Sequence, residues 1–230
     1  MLVSLVRSLG LLAVLAAPSF ACAMTFERLN IGACAARQCV LAKGPIDKAS
    51  TDQFKTFVRG AGLTEGAIVF LDSPGGDHVA GIALGREIRK RGLNTFVSSY
   101  SPAKGPSFVD ADCASACVSM FLGGVQRGVG PRSRLGVHQL SLSGDSSASG
   151  ESSVTRGVVN AQWYMGLSAE HIAEMGADPK LSSMALMTPS AGVYWLSRQE
   201  MRATKAVTLD TGLNKPADNL GAISFFDATR

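Results

Sequence analysis

The period of the apolar positions changes along the chain, and each change marks an element. Ala67-Ile68-Val69-Phe70-Leu71 is a short, continuous run rich in β-formers, which predicts a buried strand. The period then lengthens: Ala80, Ala83, Leu84 and Ile88 fall on one helical stripe across 79–91, with Gly92 as terminator. A second strand is predicted over 94–99. Strand, helix and strand in that order build parallel sheets, so the pattern predicts an α/β fold.

Weaker signals fill the rest. A short strand is predicted over 38–42, ended by Gly44-Pro45. Ser50 or Thr51 caps a helix with Phe54, Phe57 and Val58 inward, stopped by Gly60 and Gly62. Residues 114–122 read as a short, nearly all-apolar helix, closed by Gly123-Gly124. Further on, the pattern predicts a strand over 134–138 and helices over 158–165, 169–175 and 180–187. His171, inside the second of these helices, is expected to face solvent. A β-prone run over 193–196, a helical turn over 198–203 and a last strand over 207–209 follow. Flexible loops are expected near 100–112, a polar stretch with Pro102, Gly105 and Pro106, and over the Ser- and Gly-rich 140–155.

Length and composition place these elements in a single domain over 24–209, with a C-terminal tail over 210–230. The chain has 230 residues, 46% hydrophobic and 17% charged, which is globular. A net charge of +4, spread without a dense Lys/Arg block, argues against nucleic acid as a partner. Residues 1–23 carry Arg7, an apolar run over 9–17, Pro18 and the small residues Ala21-Cys22-Ala23, the layout of a cleaved signal peptide. The expectation is a periplasmic or secreted protein. Membrane anchoring through an uncleaved 1–23 is the second choice, because the apolar run is shorter than a spanning helix wants. Cleavage leaves Cys34, Cys39, Cys113 and Cys117, an even set that suggests disulfides in an oxidising compartment. Local pairing gives Cys34–Cys39 and Cys113–Cys117, although sequence does not fix the connectivity. The spacings are not those of a zinc ribbon and no His lies near either pair, so neither metal nor cofactor is expected.

The chemistry concentrates in three places. In Leu71-Asp72-Ser73-Pro74-Gly75-Gly76-Asp77, two glycines after a strand can turn bare backbone N–H groups toward an anion. In Cys113-Ala114-Ser115-Ala116-Cys117, small neighbours leave a serine hydroxyl reachable at the start of a buried helix, where a serine is ordinarily an N-cap. In Gly136-Val137-His138-Gln139, a histidine ends a short strand, and a serine needs such a base to become a nucleophile. Taken singly, each has a bland reading as a turn, a cap or a structural histidine.

The order and spacing of the three motifs resemble the Clp-protease proteolytic subunit and its relatives in the ClpP/crotonase superfamily, nearest to exported ClpP-like proteins of bacteria, over about 40–209. The resemblance implies a spiral of β-β-α units. It implies a serine peptidase with Ser115 as nucleophile, His138 as general base, and Gly75 or Gly76 with the Ala116 N–H as oxyanion hole. It also implies a homo-oligomer acting on peptide or protein substrates. One departure stands out. The family's acidic third member belongs just before Tyr194-Trp195-Leu196-Ser197, where this chain reads Thr188-Pro189-Ser190-Ala191-Gly192-Val193. Three outcomes are open: Asp178 reaches the imidazole, a backbone or hydroxyl group such as that of Thr188 or Ser190 substitutes, or the site is a weak dyad or inert. The alternative function is therefore a catalytically degenerate ClpP-like module that binds peptides or proteins. Crotonase-type thioester chemistry ranks last, since no acyl-CoA pool is expected outside the cytoplasm.

Overall fold

The computed structural model describes residues 23–34, 38–102, 107–141 and 151–209. The expected signal peptide and C-terminal tail lie outside them. Five strands form the main sheet: β1 (Thr25–Leu29), β2 (Cys39–Lys43), β3 (Ile68–Asp72), β4 (Asn94–Val97) and β8 (Arg127–Val129), in spatial order β1-β2-β3-β4-β8. β1 runs antiparallel to β2, and all the other pairs are parallel. The predicted α/β class holds, with one antiparallel edge strand.

Side-chain alternation in β3 explains why the sheet is covered twice. Val69 and Leu71 face a large core with Phe54 and Val58 of α1 (Ser50–Ala61), Leu84 and Ile88 of α2 (His78–Lys90) and Phe121 of α3 (Ala116–Leu122). Ile68 and Phe70 face a second cluster with Leu29, Cys34, Cys39, Leu41 and Phe96. A continuous apolar run is what a strand buried on both faces requires.

The second cluster corrects the loop expected near 100–112. β5 (Ser99–Ser101) and β6 (Ser107–Val109) pair antiparallel there, with Tyr100 opposite Phe108. Phe108 lies over Phe70 with ring centroids 4.5 Å apart. The Pro and Gly of 102–106 dominated the pattern, but the two aromatics that cover the sheet decide the conformation. The loop expected over 140–155 is shortened too: residues 142–150 lie outside the described residues, and α4 (Glu151–Glu174) begins at once. α4 runs unbroken through Gly166 and joins two predicted helices into one.

A small sheet, β10-β9-β7, carries the chemistry-bearing segments. β7 (Asp112–Ala114) lies parallel to β9 (Arg134–Val137) with Ala114 opposite Gly136, and β10 (Tyr194–Trp195) lies antiparallel to β9. α5 (Lys180–Leu186) and α6 (Arg198–Ala203) complete the described chain, and α6 starts with a capping box between Ser197 and Glu200. The strand predicted over 207–209 does not form. The amides of Thr208 and Leu209 both donate to the Arg127 carbonyl, and Thr208 Oγ1 accepts from the Arg127 N–H, so the segment turns instead of laddering. No helix among the described residues is long and apolar enough to cross a membrane.

Arg127 pins this end of the molecule. It is 3% exposed, and its guanidinium donates to the carbonyls of Lys205, Ala206, Gly124 and Met175 at 2.7–3.2 Å. Burial, with Arg89 nearby, pushes its pKa down to about 10, so it remains charged at neutral pH. The carbonyls to which it and Arg89 donate include those left unpaired at and past the end of α3. Arg127→Met strands several buried acceptors at once and is expected to cost about 3 kcal/mol, read as a lower urea midpoint at unchanged m.

Candidate active site

β7 ends at Ala114 and α3 begins at Ala116, so a single residue, Ser115, makes the strand-to-helix turn. It does so at φ +57° and ψ −126°, a region that L-residues avoid at a cost of about 1–3 kcal/mol. The expected helix over 114–122 thus loses its first residues to a strand and a strained turn. Nor is Ser115 an ordinary N-cap: its side chain makes no capping hydrogen bond. Ser115 lines a cavity of about 270 Å³ together with His138.

The sheet register brings these two residues together. Parallel neighbours end side by side, and Ser115 and His138 each follow directly on the last residue of β7 and β9. The Ser115 amide donates to the Gly136 carbonyl at 3.0 Å, which ties the turn to the strand bearing the histidine. No hydrogen bond joins Ser115 Oγ to the imidazole. His138 Nδ1 lies 2.6 Å from the Gln139 carbonyl oxygen. That oxygen can only accept, so the proton sits on Nδ1 and Nε2 keeps its basic lone pair.

The glycine turn is packed against the same point. A Cβ on Gly75, whose φ is +96°, would come within 2.7 Å of Ser115 Cβ and 3.0 Å of the Ala116 nitrogen. A Cβ on Gly76 would strike the Ile46 carbonyl oxygen at 2.0 Å. Both positions therefore require glycine. Ser73 fastens the turn to β7: its amide donates to the Asp112 carbonyl at 2.8 Å and its carbonyl accepts from the Ala114 amide at 3.1 Å. Its hydroxyl accepts the Gly75 amide at 3.1 Å. The two glycines thereby separate in role, since the Gly75 N–H is spent on Ser73. The amides of Gly76 and Ala116 have no acceptor among the described residues.

The carboxylate proposed at sequence level is not brought in. Asp178 Oδ1 accepts the Lys180 amide at 2.8 Å at the head of α5, and the residue does not line the cavity. The segment 188–193 does approach. The Gln139 amide donates to the Thr188 carbonyl at 2.8 Å, but the Thr188 hydroxyl turns to the Met184 carbonyl. Ser190 is exposed and makes no bond to His138. Of the three ways to complete the site, the geometry matches a backbone group, the Gln139 carbonyl. The cysteines pair as Cys34–Cys39 and Cys113–Cys117.

Two further histidines matter more than their sequence settings suggested. His78, the first residue of α2, lines the cavity with Ser115. Its Nε2 lies 2.7 Å from Ser168 Oγ, and Ser168 Oγ donates to the Tyr164 carbonyl, so His78 is the donor to Ser168. His171 does not face solvent as expected: it is 1% exposed. Its Nε2–H donates to the Ser119 carbonyl at 2.8 Å, and its buried Nδ1 has no partner. Ile172 and Met175 turn this face of α4 inward, and the histidine shares it. Both contacts fasten α4 over the cavity, whose walls include Val118, Leu122, Val137, Ile172, Leu181 and Leu186.

No family model and no curated protein matches the chain. Among solved structures, the chain is similar to the 1510-N membrane-bound stomatin-specific protease, studied as a serine-to-alanine mutant. The identity is 18%, the match covers 73% of this chain and 75% of that one, and the TM-score is 0.49. The site is accordingly read from this chain's own residues.

Two outcomes follow from the geometry. Gly75→Ala forces a Cβ into Ser115 at a positive φ, and should destabilise the fold by more than about 1 kcal/mol, measured by urea denaturation. Burial lowers the pKa of His78 and of His171 below 6.5, with each other's proximity adding to the effect on His78. The unfolded chain therefore binds protons more readily, so their contribution to stability is complete above pH 6.5 and falls as the pH drops through and below it. Denaturation midpoints at about pH 7.5 and pH 5.5 should show this loss, and His171→Gln should flatten it.

Proposed function

We propose that the chain is an exported serine hydrolase, a peptidase of ClpP-like type, with residues 1–23 as its cleaved signal. The observation that carries the reading is the backbone of Ser115. A non-glycine residue is held at φ +57° on a strand-to-helix turn, with its hydroxyl uncapped, and lines a cavity shared with an imidazole. Strained backbone at a reachable hydroxyl is the mark of a functional position, since folding alone would select glycine there.

The roles follow from the contacts. Ser115 Oγ attacks a carbonyl carbon and His138 Nε2 takes its proton, a role that requires the two to come within hydrogen-bonding distance when substrate binds. The amides of Gly76 and Ala116 receive the negative oxygen that develops; of the two glycines expected as donor, Gly76 is the one whose N–H is not already bonded to Ser73. The imidazolium then donates its proton to the amine or alkoxide as its bond to the carbonyl carbon breaks, and a water that gives its proton to the same imidazole hydrolyses the acyl–Ser115 ester, releasing the acid and restoring the hydroxyl. The Gln139 carbonyl fixes the ring's tautomer but supplies no full negative charge to balance the imidazolium. Loss of the triad carboxylate costs about 10⁴ in rate in serine proteases, so turnover here is expected to be slow. The largely apolar cavity suits an acyl group or side chain of apolar character. Exposed Val158, Val159 and Trp163 on α4 support the homo-oligomer as part of the same proposal.

The same lack of a carboxylate, with no hydrogen bond between Ser115 and His138, is the observation that favours the alternative, a ClpP-like module that binds peptides without cleaving them. A fluorophosphonate probe separates the two. Under the hydrolase reading it labels the wild type, Ser115→Ala abolishes labelling, and His138→Ala slows it about 10²–10⁴-fold. A folded wild type that is never labelled, yet binds peptide, establishes the binding module instead.

A further inference from the structure

Ser115 sits between two rigid pieces that have different reasons to be where they are. On one side, β7 is fixed by its ladder to β9 and by Ser73. On the other, α3 is fixed by its packing on α2, where a Cβ at Gly81 would meet the Ala116 carbonyl oxygen at 2.4 Å. At the turn between them the backbone would gain by relaxing. A change of φ at Ser115 from +57° to the ordinary negative range would swing Cβ, and the hydroxyl with it, away from the cavity. It would also rotate the Ala116 amide. The hydrogen bonds at the turn do not prevent this alone: the Ser115 amide bonds to Gly136 of β9 and the Val118 amide to the Ser115 carbonyl, and neither joins β7 to α3.

The Cys113–Cys117 disulfide does span it. Cys113 lies in β7 and Cys117 in the first turn of α3, both fully buried in the main core. The bridge joins strand to helix across Ser115, with a Cα–Cα separation of 5.3 Å. We infer that this disulfide positions the nucleophile: it holds the strand and the helix at the angle that keeps Ser115 at positive φ. This inference rests on the hydrolase reading of Ser115 and names the device that controls it.

A matched control is built into the chain. The second disulfide, Cys34–Cys39, has a sequence separation of 5 against 4 for Cys113–Cys117. The chain entropy that a bridge removes from the unfolded state depends on loop length, so the two are close to equal on that count. A purely stabilising role therefore predicts similar consequences for losing either one. Positioning predicts different ones, because Cys34–Cys39 ties a short 3₁₀ turn to β2, on the opposite face of the sheet from the main core.

The test compares full-length Cys113→Ala/Cys117→Ala and Cys34→Ala/Cys39→Ala with the wild type. The fluorophosphonate labelling rate, kcat and KM on an apolar aryl ester, and thermal midpoint are measured for each. The expected result is that the Cys113/Cys117 variant labels and turns over about 100-fold more slowly with little change in KM, as for a reacting group displaced by about an ångström. The Cys34/Cys39 variant should keep wild-type kinetics despite a lowered midpoint. Equal kinetics in the two variants would overturn the inference. If the alanine pair does not fold, Cys113→Val/Cys117→Ala restores lost volume and takes its place. A wild type that is never labelled overturns the hydrolase reading, and amide hydrogen exchange then decides the positioning. The Ser115 and Val118 amides should exchange faster in the Cys113/Cys117 variant than in the Cys34/Cys39 variant, and equal protection in the two would refute it.

Discussion

The strand-to-helix turn at Ser115 is the constraint around which the other parts of the site are arranged. An L-residue at φ +57° returns to a commoner conformation unless its surroundings forbid it. The surroundings here act from several directions: the β7–β9 ladder, the amide of Ser115 on Gly136, the Ser73 contacts, and Gly75 packed close to Cβ. Each comes from a different part of the chain. The turn is thus a product of the whole fold, and the cavity in front of it exists because α4 and α5 close over the same end.

Helix placement depends on the same economy of space. α2 meets α3 through Gly81 and Gly85, where side chains would collide with the carbonyls of Ala116 and Ser119. This close approach sets the head of α2, with His78, beside the start of α3, with Ser115. The glycine turn that leads into α2 therefore arrives next to the Ser115 turn without a long loop. Asp77 caps α2 by accepting the Ala80 amide at 2.8 Å, so the end of the turn is fixed by the helix it begins.

Much of this was legible in the sequence. The β3 run and the α2 stripe with Gly92 are strong periodic signals, and they, like the weaker helical turn at 198–203, stand within a residue or two of expectation. The cysteines pair locally, as their spacing suggested, although the sequence left the connectivity open. What was not legible depends on contacts distant in sequence. The β5–β6 hairpin follows from Tyr100 and Phe108 covering Phe70, which local composition around Pro102 concealed. His171 reads as a polar residue on a helix, and only the docking of α4 makes it a buried one. The division of labour between Gly75 and Gly76 depends on where the Ser73 hydroxyl points, and Asp178 on which amide its carboxylate meets; neither is encoded in spacing.

Ser73 has one further consequence. It is 1% exposed, and through its amide, carbonyl and hydroxyl it binds at once to the glycine turn and to β7, the strand that leads into Ser115. Because one residue's peptide and hydroxyl hold both segments, the spacing between the glycine turn and the Ser115 turn is set by the covalent geometry of Ser73 itself.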